Sequence, residues 1–359
     1  MNKTLNDAIE LILSQPTAPF RESWVKMAIS KFCSDHKIPI FEDVYGNYWA
    51  GCKSMADVKK TELVFVAHMD HPGIVVEKFE KRGKKLFAHG TWLGGGPADI
   101  RGFKVQVFSD VDASTVFNGV VRKHSNNGAR GPHKVEIEIL ANEIAFFAGV
   151  NFKKGINLAR EFCTPKGFEA LGPWGACLWY KDALQGVALI KGNWVSKACD
   201  DLIGACAALV ALKNTKRKNV AILLSRAEES GFHGTMHVLE KKYLNPKKTS
   251  IVSIETSSRL PGAMPGFGPV VRLGDRASVF SAGFVHWLES VASTLAKKNK
   301  NFTFQRKLMD GGTCEATAFN IYGFNVCGIS TPLENYHNQF LPANNKAKTK
   351  KPKSAYPEI

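Results

Sequence analysis

Four short apolar segments of this sequence are followed, at or soon after their ends, by side chains that bind metal ions or accept protons. These side chains are His68, Asp70, Glu228, Glu229, Glu255 and His337. Two histidines and several carboxylates form a ligand set that a borderline cation such as Zn²⁺ accepts. The sequence therefore predicts a metal-dependent enzyme whose ligands come from separate segments of the chain.

A fifth group, Asp200 and Asp201, directly precedes a segment rich in helix-forming residues. Taken alone, each group has an ordinary structural explanation. An aspartate in front of a helix can simply cap it, adjacent glutamates can lie in a solvated turn, and a histidine can be a hydrogen-bonded or surface residue. The joint occurrence of all the groups in one chain favours the metal site.

The chemistry of a two-metal site explains why these residue types occur together. Two metal ions about 3.5–4 Å apart need a carboxylate between them and terminal ligands on either side. A further carboxylate then takes a proton from the attacking water and delivers it to the leaving amine. Consecutive residues leaving a strand point in different directions, so Glu228 and Glu229 can divide the roles of base and ligand. Asp70, two residues after His68, can accept the second ring N–H of that histidine.

The elements that must position these residues are predicted from short apolar runs and helical patterns. The runs are Leu63–Ala67, Ala221–Leu224, Ser250–Ile254 and Asn325–Ile329, and the clearest helical patterns are Leu202–Leu212 and Phe284–Ala296. Strands that alternate with helices predict an α/β fold with a mixed, mostly parallel sheet flanked by helices. Such a sheet places its site beyond the carboxyl ends of its strands, where the candidate ligands occur.

The segment from about Gly95 to Gln185 has a different character. It contains FKVQVFS, STVFNGVVR and KVEIEIL, which are short β-type segments separated by turn residues. We therefore expect residues 1–94 and 186–345 to form a discontinuous catalytic domain and residues 95–185 to form an inserted small β-rich domain. The composition of residues 346–359 is that of a basic disordered tail.

The whole-chain composition is that of a globular protein. Of 359 residues, 44% are hydrophobic and 22% are charged, and no apolar run reaches the roughly 18 residues of a membrane span. Near the start, Asp7 and Glu10 interrupt what would be the apolar core of a signal peptide, so an amphipathic helix is the better interpretation. The eight cysteines are scattered, which favours reduced thiols. These features predict a cytoplasmic protein.

The formal net charge is +16, which raises the possibility of nucleic-acid binding. The lysines are dispersed in short runs, and no aromatic-interleaved basic motif of the RNA-binding kind occurs. We expect neither a nucleic-acid nor a membrane partner, and a basic nucleic-acid-binding protein is kept as a remote alternative. Titration with oligonucleotides across a range of salt concentrations would detect such binding.

Several motifs resemble those of the co-catalytic metallo-aminopeptidases, the zinc exopeptidase family that includes tetrahedral, deblocking and glutamyl aminopeptidases. VAHMDHPG resembles the first metal motif, KACDDLIG the second and SRAEESGFHGT the third, while MDGGTCEA and STPLENYHN resemble the closing segment. The resemblance spans roughly residues 60–340. Any one motif is weak, but the combination is specific.

The resemblance implies a set of roles. His68, Asp200, Glu229, Glu255 and His337 would be metal ligands, with Asp200 between the two ions. Glu228 would be the general base and Asp70 the partner of the first histidine. The implied cofactors are two divalent ions, Zn²⁺ first and Co²⁺ or Mn²⁺ as alternatives. The implied substrate is a short peptide cleaved at its N-terminal bond, and the inserted domain would mediate homo-oligomer contacts.

Three positions depart from the family pattern. Glu255 stands where Asp is usual, His71 where an acidic residue is common, and Glu315 where the family often has Asp. A Glu at the first of these positions can accompany carboxypeptidase or N-acyl amino acid deacylase activity on the same scaffold, which is the alternative function. His233 and His237 are spaced i, i+4 and could mimic a helical metal pair. Side-chain preference, metal identity, oligomer size and the role of the tail stay open.

Overall fold

A computed structural model describes residues 2–112, 116–125, 132–140, 172–178 and 186–339 of the chain. The tail predicted at 346–359 lies outside these residues, as does much of the segment predicted as β-rich. Among the described residues, no helix combines the length and apolar composition that a membrane crossing requires.

The helices of the described residues are, in chain order, α1 Lys3–Leu13, α2 Ser23–Asp35, α3 Met55–Val58, α4 Leu202–Asn214, α5 His233–Glu240, α6 Ala282–Lys298 and α7 Glu315–Ile321. Short 3₁₀ turns occur at Glu228–Ser230 and Tyr336–Asn338. The strands are β1 Ile40–Glu42, β2 Tyr48–Ala50, β3 Leu63–His68, β4 Gly73–Arg82, β5 Lys85–Leu93, β6 Lys104–Ser109, β7 Val116–His124, β8 His133–Ile139, β9 Trp174–Leu178, β10 Val187–Ile190, β11 Asn193–Ser196, β12 Val220–Ser225, β13 Ser250–Ser258, β14 Val270–Arg272, β15 Gln305–Lys307 and β16 Asn325–Leu333.

Eight of these strands form the central sheet, in the order β1-β2-β12-β3-β13-β16-β14-β15. Its middle strands β12, β3, β13 and β16 are parallel, whereas β2 and β14 pair with them in the antiparallel direction. The four middle strands contain the four apolar runs, so the prediction of a mixed, mostly parallel sheet flanked by helices is confirmed. Continuous apolar runs mark them because helices cover both faces of the sheet.

Two apolar cores lie on the two faces of this sheet. One joins α1, α2 and α4 to the sheet through residues such as Ile12, Phe32 and Leu209. The other joins α5, α6 and α7 to the opposite face through residues such as Val238 and Phe319. Small residues in α4, including Gly204 and several alanines, let this helix approach β3, β12 and β13 closely. The start of α4 is thereby held at the edge of the sheet where the middle strands end.

A closed barrel with the strand order β4-β5-β8-β7-β6-β9 forms the β-rich unit and has its own apolar core. It begins at Gly73, before the boundary at residue 95 that the sequence suggests. The reason is that β4 follows the end of β3 after four residues, without a linker that composition could reveal. The glycines at 94–96 instead form the segment that leaves β5 towards the edge of the central sheet.

Candidate metal centre

The middle strands place the candidate ligands at one edge of the sheet. His68 is the last residue of β3 and pairs with Ser225, the last residue of β12, while Glu255 lies in β13 opposite Ser330 of β16. Because these strands are parallel, their carboxyl ends converge. Residues that follow strands β12 and β16, and those that precede α4, meet at the same edge.

One group of possible ligands consists of Asp200, Glu229 and His337. The Nε2 atom of His337 lies 3.0 Å from Oδ2 of Asp200 and 2.9 Å from Oε1 of Glu229. One atom from each of the three side chains lies within 4.8 Å of the others. Three such donors, one imidazole and two carboxylates, are a suitable set for one divalent cation.

A second group consists of His68, Asp200 and Glu255, whose donor atoms also lie within 4.8 Å of one another. The Nε2 atom of His68 lies 3.6 Å from Oδ1 of Asp200, whereas His337 contacts the other oxygen of the same carboxylate. Asp200 therefore belongs to both groups and offers one oxygen to each. The structure brings together all five residues that the sequence predicts as ligands.

Glu228 lies beside both histidine-containing groups. Its Oε2 atom is 4.0 Å from Nε2 of His68, and it forms a further possible metal-binding group with His68 and Glu229. The side chain is buried and lines the same cavity as the other candidate residues. From this position the carboxyl of Glu228 can contact an attacking water.

Asp70 contacts the glutamate pair more directly than it contacts His68. Its two carboxylate oxygens accept hydrogen bonds from the backbone N–H groups of Glu228 and Glu229, at 2.9 and 3.1 Å. The Nδ1 atom of His68 lies 3.0 Å from the backbone oxygen of Asp70 and 3.6 Å from its Oδ1. The carboxylate therefore fixes the backbone that carries both glutamates, while the backbone oxygen is the nearer acceptor for the imidazole.

His71, one of the departures from the family pattern, holds two parts of the site together. Its Nδ1 lies 2.9 Å from the backbone oxygen of Asp200, and its Nε2 lies 3.0 Å from Oδ1 of Asn338. An imidazole can donate an N–H to such an oxygen, whereas an ionised carboxylate at this position could only accept hydrogen bonds. His71 thereby links the segment before α4 to the turn that carries His337.

The electrostatics of the site are those of several carboxylates buried together. Burial and the charges of Glu255 and Glu229 raise the pKa of Glu228 well above its ordinary value. Burial raises the pKa of Glu255 to about 8. Burial alone would also raise the pKa of Asp200, but its contacts with His337 and His68 hold that pKa well below the usual range.

The histidines shift in the direction that their acidic neighbours dictate. Burial disfavours a charged imidazole, yet the carboxylates of Glu229 and Asp200 raise the pKa of His337 to about 10. The pKa of His68 is likewise raised well above its ordinary value, against the effect of burial, by Glu228 and Asp200. Both rings therefore lie in a field that attracts cations.

These observations test whether divalent metal ions fit the residues present. Buried carboxylates repel one another, and they are costly to keep charged without a cation among them. The two groups provide nitrogen and oxygen donors of the types that Zn²⁺ accepts, and they share the Asp200 carboxylate. The donor set fits a pair of divalent ions.

Other candidate residues lie outside the metal groups. The Nε2 atom of His237 is 3.3 Å from the hydroxyl of Tyr243, and its ring stacks on Tyr45. His233 lines the cavity and its ring contacts Phe20, so the two histidines do not form a helical metal pair. Asp201 occupies the N-cap position of α4, but its side chain forms no capping hydrogen bond.

Two further features of the candidate site are not predicted from the sequence. Gly95 lies against His337, because a Cβ at this position would come within 2.4 Å of Nδ1 of that histidine. Arg272 lines the same cavity of about 900 Å³ as the candidate ligands. In the sequence this residue is one cation at the end of the apolar run PVV, a pattern that is typical of any short strand.

One family model matches part of the chain. The family model described as M42 glutamyl aminopeptidase matches residues 184–349, slightly less than half of the chain. This region contains α4, the glutamate pair, β13 and the turn with His337. A search of curated proteins gives no match.

Solved structures match over nearly the whole chain. An aminopeptidase from the archaeon Desulfurococcus kamchatkensis is 18% identical with a TM-score of 0.68, and the match covers 99% of this chain and 89% of that one. The TET1 peptidase of Pyrococcus horikoshii is 17% identical with a TM-score of 0.66, covering 99% and 94%. A TET aminopeptidase from a marine sediment Thaumarchaeota archaeon is 16% identical with a TM-score of 0.68, covering 93% and 90%. At these identities the likeness establishes the fold.

The family match identifies the class of protein as a metal-dependent aminopeptidase, a hydrolase of peptide bonds, and the solved structures have the same fold. The resemblance to the co-catalytic metallo-aminopeptidases is thereby confirmed. Within that class, the family with the matching sequence model is that of the M42 glutamyl aminopeptidases.

Proposed function

We propose that this chain is a two-metal exopeptidase that hydrolyses the N-terminal bond of short peptides, with Glu228 as general base. The observation that carries the proposal is the carboxylate of Asp200, which belongs to both donor groups. A single shared carboxylate between two sets of terminal donors is the arrangement that a pair of neighbouring cations requires.

The first ion would be held by Asp200, Glu229 and His337, and the second by His68, Asp200 and Glu255. Zn²⁺ is the first candidate, with Co²⁺ or Mn²⁺ as alternatives, because imidazole and carboxylate donors accept all three. When bound, such ions lower the pKa of water and polarise a carbonyl group. Elemental analysis of protein purified without chelators, followed by reconstitution with each ion, identifies the metal.

Glu228 is proposed to move the proton. Its burial and its acidic neighbours raise the pKa of the carboxyl, which strengthens it as a proton acceptor from the attacking water. The same carboxyl then donates that proton to the leaving amine. Asp70 supports this role because its carboxylate accepts hydrogen bonds from the backbone N–H groups of Glu228 and Glu229. These bonds fix the backbone from which the two glutamate side chains extend in different directions.

The decisive assay compares aminoacyl-nitroanilides with N-acyl amino acids as substrates of the metal-reconstituted protein. Turnover of the nitroanilides supports the proposed aminopeptidase. Turnover of the N-acyl compounds alone would replace it with the deacylase or carboxypeptidase alternative, for which Glu255 is the motivating residue. Glu255 lies in the second donor group, where its extra methylene relative to Asp would shift the position of a bound cation and of the substrate terminus.

A homo-oligomer that assembles through the inserted β-rich domain is part of the proposal. Fold neighbours support it, since one is described as a dodecamer and another as assembling into a tetrahedron or a large octahedral shell. Sedimentation equilibrium would report the mass relative to the 39.5 kDa chain. A mass equal to one chain at micromolar concentration would contradict it.

A cytoplasmic location completes the proposal. Buried thiols such as those of Cys33, Cys52 and Cys327 support it, because cysteines stay reduced in that compartment. Fractionation of cells that produce the protein tests this location.

A further inference from the structure

A second cavity, which we call the distal cavity, lies at the edge of the central sheet opposite to the candidate metal centre. Thr61, shortly before β3, and Val220, the first residue of β12, both line it, so it lies where these parallel strands begin. Its volume of about 420 Å³ is within the range of small-molecule sites. Helix α4 connects the two places, because it follows Asp200 and ends beside the distal cavity, which Lys213 lines. At 1.5 Å per residue this helix is about 20 Å long.

Five cationic side chains of the described residues line the distal cavity, and they come from four segments of the chain. Lys37 follows α2, Lys60 follows α3, Lys213 lies in the last turn of α4, and Arg217 and Lys218 lie in the loop before β12. Within the described part of the chain, none of the five forms an ion pair. A concave surface that is lined by one sign of charge concentrates ions of the opposite sign. The distal cavity should therefore attract anions.

Two local features offset only part of this charge. Asp57 is the one carboxylate among the described lining residues, and it accepts hydrogen bonds from its own turn. The negative end of the helix dipole favours Lys213, which also donates a hydrogen bond to the hydroxyl of Thr4. The effect of the dipole is confined to the last turn of a helix. Arg217 and Lys218 come after that turn, so neither the dipole nor Asp57 accounts for them.

The inner wall of the distal cavity is largely apolar. Ile38 and Cys52 line it and are buried, and Leu212 lines it and packs against the apolar core beneath. The five cationic residues are by contrast exposed and form the rim. A ligand that matches both parts has an apolar body and several negative charges close together. Phosphate groups supply such charges, because Lys and Arg bind their oxygens through strong charge-assisted hydrogen bonds.

We infer that the distal cavity binds a nucleoside polyphosphate. The apolar face of the base would lie on the wall that Ile38 and Leu212 form, and the phosphates would meet Lys60, Arg217 and Lys218. A concave site of about 420 Å³ suits such a small molecule better than a nucleic acid, which needs an extended surface. The inference does not depend on the proposed exopeptidase function, since the two sites lie at opposite edges of the sheet.

The probe is ATP, and it is compared with adenosine and with tripolyphosphate. Calorimetric titration of the wild-type, metal-loaded protein in excess Mg²⁺ and about 0.15 M salt is expected to show saturable binding of one ATP per chain. Adenosine lacks the phosphates and tripolyphosphate lacks the base, so each is expected to bind at least about tenfold more weakly than ATP. Excess Mg²⁺ keeps the phosphates from extracting the protein's own metal ions.

The test variant combines Arg217→Gln with Lys218→Gln, and the matched control combines Lys247→Gln with Lys248→Gln. Both pairs are adjacent exposed cations in loops that lead into strands of the central sheet, and both changes remove two positive charges. Lys247 and Lys248 are not among the residues that line the distal cavity. The test variant is expected to raise the Kd for ATP by about 100-fold, because two charge-assisted contacts are lost. The control is expected to change this Kd less than about threefold.

Lys60→Gln provides an independent variant, because Lys60 reaches the distal cavity from another segment of the chain. It is expected to raise the Kd for ATP by about tenfold. Thermal unfolding and metal content establish that every variant is folded and loaded. Because all substituted residues are exposed and lie outside the donor groups, both properties should match those of the wild type.

Four results would overturn the inference. Equal losses of affinity in the test variant and the control would mean that the general positive charge of the surface attracts ATP, as it would attract a nucleic acid. A Kd that no variant changes would place the bound ATP elsewhere, for example at the candidate metal centre. Tripolyphosphate that binds as tightly as ATP would show that the base makes no contact. The absence of saturable binding to the folded, loaded wild type would exclude the site. Because none of these measurements uses peptide turnover, a failure of the exopeptidase proposal is detected separately.

Discussion

Two adjacent glutamates with different surroundings are central to this site at the scale of single residues. The backbone N–H groups of Glu228 and Glu229 are both held by the carboxylate of Asp70. From that common anchor, Glu229 reaches His337 whereas Glu228 lies towards His68. One short segment can thus supply both a metal ligand and a proton acceptor, because the two side chains occupy different positions in the site.

The first prediction concerns Glu228→Gln. The amide keeps the size of the side chain but cannot accept a proton, so turnover should fall by roughly 10²–10⁴-fold while bound metal is retained. Steady-state kinetics and elemental analysis of the same preparation measure both quantities. Unchanged turnover would exclude Glu228 as the base.

The second prediction concerns His68→Ala. This change removes a donor from the group that contains Asp200 and Glu255, and should lower the metal content of the purified protein by about one ion per chain. His36→Ala, in the turn after α2, serves as the control, because that ring packs against Phe32 and belongs to none of the donor groups. A metal content equal to that of the wild type would show that His68 is not a ligand.

Most residues of the candidate site were predictable from the sequence, and the exceptions have a physical reason. His68, Glu228 and Glu255 follow or end apolar runs, and apolar runs that helices cover on both faces are visible without a structure. Arg272 was not predicted, since the burial of a cation is a property of packing. The i, i+4 spacing of His233 and His237 left a helical metal pair open, because spacing cannot say which face of a helix meets the site.

At the scale of elements, the barrel reaches the candidate metal centre through the segment that follows β5. Gly94, Gly95 and Gly96 lie against the metal centre and the barrel, and Gly94 has a φ of +87°. Gly95 lies so close to His337 that no Cβ fits between them. The barrel therefore fixes one wall of the site in addition to forming its own core.

The third prediction follows from that contact. Gly95→Ala would place a methyl group within 2.4 Å of the His337 ring and should displace the ring from Asp200 and Glu229. Metal retention during dialysis against a weak chelator should fall, with little change in far-ultraviolet circular dichroism. Gly283→Ala in α6 is the matched control, because its Cβ would meet no atom within 4 Å. Equal metal retention in both variants would contradict this account.

The fourth prediction concerns Asp110, which directly follows β6 of the barrel. Burial raises the pKa of this carboxyl to about 7, although the charge of Arg21 opposes the shift. Below about pH 4 the group is protonated in both the folded and the unfolded state. Between about pH 4 and pH 7 only the folded state keeps the proton, so its contribution to stability is lost as the pH rises.

Asp110→Asn removes this ionisation and should therefore stabilise the protein at pH 8 relative to wild type, with no such gain at pH 4. Urea unfolding at the two pH values measures the difference. Asp35→Asn is the control, since Asp35 is an exposed residue paired with Lys31. A gain of equal size at both pH values would point to packing rather than to ionisation.

The sheet and the barrel differ in how much of them the sequence predicts. Buried parallel strands are marked by continuous apolar runs such as Leu63–Ala67, whereas a barrel strand such as His133–Ile139 alternates polar and apolar residues. Only four residues separate His68 from Gly73, where the barrel starts, and so few residues cannot show the composition of a linker. Its boundary is therefore a property of strand pairing that the composition does not reveal.

At the scale of the whole molecule, the site concentrates buried negative charge in a protein that is otherwise strongly basic. Glu228, Glu255 and Glu315 are buried and have raised pKa values, because burial penalises their ionised forms. Cations that bind the folded chain and not the unfolded chain stabilise the fold by mass action. The stability of the molecule should therefore depend on its metal ions.

The fifth prediction is that chelation lowers the unfolding temperature of the whole chain. At a free metal concentration 100 times its Kd, binding contributes about 2.7 kcal/mol to the free energy of unfolding. Differential scanning calorimetry with and without a chelator measures the change. His68→Ala should show a smaller difference than wild type, and an identical unfolding temperature with and without metal would exclude coupling between metal binding and folding.

The span of the donor groups along the chain has a consequence for synthesis. His68 and His337 lie near opposite ends of the described residues, and each donor group contains one of them together with Asp200. A ribosome must therefore translate as far as His337 before both donor groups of the proposed two-metal centre are complete. The growing polypeptide cannot attack its own free amino terminus, or the peptides around it, with a finished centre until most of its own sequence has been made.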